Sequence, residues 1–349
     1  MGINFTGLHP SLTSFMDNRQ EVSPVMLGPD YNHTMETPAS FLLVGIPGLQ
    51  SSHLWLAISP SAMHIIALLG NILIVTAIWM DSTLHEPMYC FLCFLAAVDI
   101  VMASLVVSKM VRIFCSGDSS ISFSACFIQT CFVHLATAVE TGLLLTMAFD
   151  CYIAICKPLH YKRILMPQVM LGMSMAITIR AITAMTPLSW MVNHLPFCGS
   201  NVVLHSYCEH IALARLACAD PVPSSLYSLI GSSIMVGSDV AFIAASYILI
   251  IRAVFGLSSK TAQLKALSTC GSYVGVMALY YLPGMASTYV AWLGQDVVPL
   301  HTQVLLADLY MIIPATSNPI IYGMRTKQLL EGIWSYLMHF LFDHSNLGS

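Results

Sequence analysis

Asn71, Asp99 and Glu140 each sit inside a long apolar run of the chain. Lipid does not tolerate such amide and carboxyl groups unpaired, so they must share hydrogen bonds, hold an ion or serve a function. A second set lies in a polar stretch, His205-Ser206-Tyr207-Cys208-Glu209-His210. One thiolate and two imidazoles are the donors of a zinc-type site. That chemistry needs Cys208 reduced, and no metal is predicted. Serine, histidine and aspartate all occur, yet the chain has no His-Glu-x-x-His, no Gly-x-Ser-x-Gly and no phosphate loop. It is read as a non-enzyme.

The elements that position these groups follow from composition. Of 349 residues, 57% are hydrophobic and 9% charged, against roughly 45–50% and about 25% in soluble proteins. The partner this implies is a lipid bilayer. A net charge of −4 supplies no field for nucleic acid. A spanning helix needs about 20 apolar residues, and seven stretches qualify: 55–79, 87–111, 125–150, 168–192, 226–252, 264–291 and 302–323. The fold class is therefore an all-α membrane protein, a seven-helix bundle. Trp55 and Trp79 bracket the first span as interfacial aromatics do. Residues 1–54 read as an outer tail with two sequons, at Asn4 and Asn32, and no signal peptide.

Lys157, Lys162, Arg163, Arg252, Lys260, Lys265, Arg325 and Lys327 fall on one side, against Arg19, Lys109, Arg112 and Arg215 on the other. This excess places the N-terminus outside and the C-terminus in the cytosol. Residues 324–349 form the cytosolic end, where Leu329, Ile333, Leu337 and Leu341 make one face of a short amphipathic helix lying on the membrane. No inverted repeat or filter loop supports a transporter or channel.

Several strings carry a family likeness: Pro87-Met88-Tyr89, Met147-Ala148-Phe149-Asp150-Cys151-Tyr152-Ile153-Ala154-Ile155-Cys156, Lys157-Pro158-Leu159-His160-Tyr161, Ser246-Tyr247, Lys265-Ala266-Leu267-Ser268-Thr269-Cys270 and Asn318-Pro319-Ile320-Ile321-Tyr322. In this order, from about residue 40 to 330, the chain resembles an odorant receptor of the rhodopsin-like G-protein-coupled superfamily. The loop around Cys208 and Val44-Gly45-Ile46-Pro47-Gly48-Leu49 resemble its class I, fish-like branch.

The resemblance implies a small volatile or semi-volatile ligand bound between spans three, five and six by His134, Thr137, Met235, Tyr281 and Thr288. It implies coupling to a stimulatory G protein that raises cyclic AMP. A lone histidine on an apolar helix is otherwise a satisfied core residue, so His134 has two readings. The likeness pairs Cys126 with Cys208 and Cys198 with Cys218. It gathers Asn71, Asp99, Glu140 and Asn318 mid-bundle, either to hold a sodium ion or as a purely structural network; no other cofactor is implied. Asp150, Cys151, Tyr152, Tyr247, Pro319 and Tyr322 match the activation switch. Two departures bear on coupling: the family has Asp-Arg-Tyr where this chain has Asp150-Cys151-Tyr152, and histidine where it has Tyr273. A cysteine cannot supply the arginine fork. Class I receptors for small carboxylic acids have an arginine matching Trp292, so a more apolar ligand is expected. A chemosensor outside olfaction, or a receptor with impaired coupling, would share these motifs.

Overall fold

The computed structural model describes residues 38–49, 53–197, 200–256, 258–293, 297–325 and 331–332. Seven long helices dominate: α1 (His53–Met80), α2 (Pro87–Ser116), α3 (Phe123–Cys156), α4 (Pro167–Asn193), α5 (Val222–Phe255), α6 (Lys260–Leu293) and α7 (Leu300–Arg325). All seven are long and apolar enough to cross a membrane. Each lies where an apolar run lies in the sequence, and all seven outrun it at one end or both. An apolar count stops where polar residues accumulate, whereas a helix continues while its own backbone bonds satisfy it. Thus α2 passes residue 111 to Ser116, because Lys109 and Arg112 both reach Asp118 beyond its end. Likewise α3 runs past Asp150 to Cys156.

Local chemistry sets the helix starts. Pro87 and Pro167 occupy first-turn positions, where a missing N–H costs nothing. The Ser122 hydroxyl caps α3 by accepting from the Ala125 N–H. Gly117 ends α2 at φ 68°, a left-handed conformation that glycine adopts without strain. A π-helical segment, Ala103–Val107, interrupts α2. Pro60, Pro187, Pro283, Pro314 and Pro319 all lie within continuous helices.

A small sheet absent from the sequence reading caps one end. Strand β1 (Ser40–Leu43) pairs antiparallel with β2 (Ser120–Ser122) and parallel with β3 (Val202–Val203). Phe41 and Leu43 are fully buried, and the rings of Phe41, Phe123 and Phe197 meet at 5.3–6.0 Å. The last part of the N-terminal segment is therefore packed against the loop between α4 and α5. The sequons at Asn4 and Asn32, Cys198 and the amphipathic face from Leu329 to Leu341 lie outside the described residues.

Candidate functional site

A cavity of about 410 Å³ opens below this cap, between α3, α5, α6 and α7. That size suits a small organic molecule. His134 and Thr137 from α3, Met235 from α5, and Tyr281, Thr288 and Trp292 from α6 all line it. The wall is mostly aliphatic and aromatic, with its polar groups largely tied to one another. Tyr280 donates to the Thr137 carbonyl at 3.0 Å, and Tyr310 donates to the Tyr280 hydroxyl at 3.2 Å. Ser233 and Tyr289 share a hydrogen bond of 3.1 Å across α5 and α6. Gly284 lets α6 lie close to α7, since a Cβ there would come within 2.7 Å of the Tyr310 ring.

The loop between α4 and α5 forms the lid. Cys208 is joined to Cys126 at the start of α3, so it offers no thiolate to a metal. Cys218 is also disulfide-bonded. The Cys208 N–H donates to the Gln129 amide oxygen and its carbonyl accepts from Thr130, both at 2.8 Å. Ser206 donates to Asp308 of α7 at 2.8 Å, tying the lid to a second helix. His205, Glu209, His210 and Arg215 of the lid reach the cavity wall. Burial, with Arg215 nearby, pushes the His205 pKa down to about 3. Burial, with His134 nearby, does the same to His210. Both rings are therefore neutral. Neither His210 nitrogen has a hydrogen-bond partner, and its ring stands edge-on to His134 at 5.9 Å.

Deeper in the bundle, Asn318 donates to Asp99 at 2.9 Å, while Asn71 donates to the Ala67 and Ala315 carbonyls at 2.9 Å. The Asn71 Oδ1 and the second Asp99 oxygen have no donor although both residues are buried. Glu140 interacts with Asp99 and the Tyr280 hydroxyl. Gly70 brings α1 against α7, where an added Cβ would meet Pro319 at 2.7 Å. Asp99 thus meets both Asn318 and Glu140, while Asn71 is held by backbone carbonyls of α1 and α7.

At the opposite end from the cap, Asp150 accepts from Tyr161 at 2.8 Å, so the acid of the Asp-Cys-Tyr triplet binds the following loop. Cys151 faces Cys270 of α6 with the sulfurs 3.7 Å apart. Tyr247 and Tyr322 are buried in the same cluster, Tyr247 with no partner for its hydroxyl. Tyr322 packs on Tyr273 at 5.9 Å, and Tyr152 on Phe149 at 6.4 Å.

One pairing escaped the sequence reading. Arg180 of α4 forks onto Asp239 of α5 at 2.6 and 2.8 Å and donates to Thr141 of α3 at 3.2 Å. Arg180 and Asp239 each fall inside an apolar run of the sequence. Two opposite charges inside spans must find partners, and that signal was available.

Seven membrane-crossing helices around a lidded small-molecule cavity, with a buried polar centre and a tyrosine-rich inner end, describe a seven-helix receptor. The sequence matches the family described as olfactory receptor over residues 60–339. It is 90% identical over 332 residues to human olfactory receptor 52I2, covering 95% of each chain. It is 90% identical over 324 residues to human olfactory receptor 52I1, covering 93% of this chain and all of that one. Human olfactory receptor 52J3 is 41% identical over 303 residues, 87% of this chain and 97% of that one. The chain belongs to the olfactory receptor family: an odorant-sensing G-protein-coupled receptor of the plasma membrane, not an enzyme.

Proposed function

We propose that this is a class I receptor that binds a small, mainly apolar volatile or semi-volatile molecule between α3, α5 and α6 and activates a stimulatory G protein, raising cyclic AMP. The observation that carries this reading is the lidded cavity of about 410 Å³, which meets all five expected contacts, His134, Thr137, Met235, Tyr281 and Thr288. The ligand class follows from charge. Trp292 stands where a carboxylate-binding arginine would be. Arg215 also reaches the wall, but Glu209 attracts it electrostatically. A ligand carboxylate would therefore lack an unshared charged fork, whereas a hydroxyl or carbonyl can use the His134 ring and the neutral His210 ring.

Binding that favours one arrangement of the bundle shifts its population, and the tyrosine-rich inner end then opens to the G protein. The N-terminus lies outside, in keeping with the basic residues near the inner helix ends and the oxidised cysteines at the cap. Asn4 and Asn32 are the glycan acceptors, and Cys198 pairs with Cys218. The two unmatched oxygens of Asn71 and Asp99 fit a sodium ion. Asn71, Asp99, Glu140 and Asn318 would hold it, and its charge would offset the buried carboxylates.

Cys151 supports a second reading, a receptor that senses ligand but couples weakly. Cyclic AMP in cells expressing wild type and Cys151→Arg at equal surface level, challenged with an odorant panel, separates the two. A wild-type response supports full coupling, and a response from Cys151→Arg alone supports the weak-coupling reading. Silence from both would overturn the stimulatory G-protein assignment.

A further inference from the structure

The Cys151–Cys270 contact lies at the end of α3 and α6 that must separate if the receptor is to couple. Elsewhere these helices meet through reversible bonds: Tyr280 and Tyr281 of α6 donate to the Thr137 and Thr141 carbonyls of α3. Cys151 lies 14 residues beyond Thr137 along α3, about 20 Å further along the helix axis. There the two sulfurs face each other at 3.7 Å across 119 residues of chain, each on a buried residue. A disulfide needs the sulfurs at about 2.05 Å. The gap to close is therefore about 1.7 Å, within reach of a side-chain torsion at either cysteine. The nearby Cys156 thiol is engaged differently, directed at the Leu249 carbonyl.

We propose that Cys151 and Cys270 form an oxidisable pair whose disulfide clamps α3 to α6 at the inner end. The oxidant is a hydroperoxide. It takes two electrons from one thiol, giving a sulfenic acid and releasing its second oxygen as an alcohol, or as water from hydrogen peroxide. The other thiol attacks the sulfenic sulfur; the S–S bond forms, the S–O bond breaks, and water leaves with the thiol proton. A thiol reductant reverses the bond by exchange. The pair exists because a cysteine stands where the family has arginine. The effect of the clamp on signalling rests on the coupling reading above; the cross-link itself does not.

The test uses the full-length receptor in membranes, treated with hydrogen peroxide, alkylated, and digested without reductant. Mass spectrometry should find a Cys151–Cys270 linked peptide that dithiothreitol removes, that Cys156→Ser retains and that Cys270→Ser lacks. Peroxide should raise the apparent Tm of wild type and leave Cys270→Ser unmoved. It should also suppress basal nucleotide exchange on the stimulatory G protein in wild type alone. Absence of the linked peptide, with the Cys126–Cys208 peptide found in the same digest, overturns the proposal. A linked peptide with unchanged Tm and unchanged exchange overturns the clamp. If reduced wild type and Cys270→Ser both fail to drive exchange under the odorant panel, the coupling reading falls, while the peptide and the Tm still decide the cross-link.

Discussion

Replacing Arg180 by methionine should cost more than any other single change in the wall between α3, α4 and α5. Its guanidinium grips Asp239 with two charge-assisted bonds of 2.6 and 2.8 Å and reaches Thr141 at 3.2 Å. The Asp239 side chain is 1% exposed and that of Arg180 35%, both within spans, where water is scarce. Neither charge can recover hydration when its partner is lost. Breaking a buried pair from one side costs about 3–5 kcal/mol, whereas replacing both partners by apolar residues is often nearly neutral. Arg180→Met should therefore lower the apparent Tm of the purified receptor by on the order of 10 °C. Arg180→Met/Asp239→Leu should recover most of that loss. A thermal-shift series in one detergent, completed with Asp239→Leu alone, closes the cycle and gives the coupling energy. If Arg180→Met melts with wild type, or the double variant melts as low as the single, the pair is not what holds these helices together.

Two further outcomes follow from the cavity. Trp292→Arg should move odorant preference toward carboxylic acids over matched alcohols by at least tenfold, about 1.4 kcal/mol, the order of one charge-assisted bond. Dose responses to paired acids and alcohols check it, and an unchanged ratio would place Trp292 away from the ligand's polar end. Acid should loosen the lid. His205 and His210 are held neutral with pKa values of about 3, below the ordinary 6.5. The opened lid therefore binds more protons than the closed one below pH 6.5, and stability is lost as pH falls from 6.5 toward 3. By pH 5 the loss is about 2 kcal/mol per histidine. Protection factors for hydrogen exchange across residues 200–220, each rate referred to its intrinsic value at that pH, should fall between pH 7.4 and 5.0, and equal protection at both would show the rings already exposed to water.

The sequence was most informative where one physical rule dominates. Lipid demands helices, so seven apolar runs foretold seven spans and only their ends moved, furthest at Ser116 and Cys156, where charges found partners beyond the apolar count. The cavity contacts were legible through family likeness rather than through patterning. Nothing in the period of α6 separates Tyr281 and Thr288 from its lipid-facing residues. The β1–β2–β3 cap was not legible, because strands of two to four residues carry too little alternation to register. Its cohesion comes from Phe41 meeting Phe123 and Phe197, ring contacts between segments far apart in the chain. Arg180 and Asp239 differ again. Each alone reads as an anomaly in an apolar run, and only the requirement that buried charges pair joins them. Cys151 and Cys270 show the limit of that logic. A thiol is tolerated in an apolar interior without any partner, so their approach to 3.7 Å had no sequence signature and emerged only once α3 and α6 were packed.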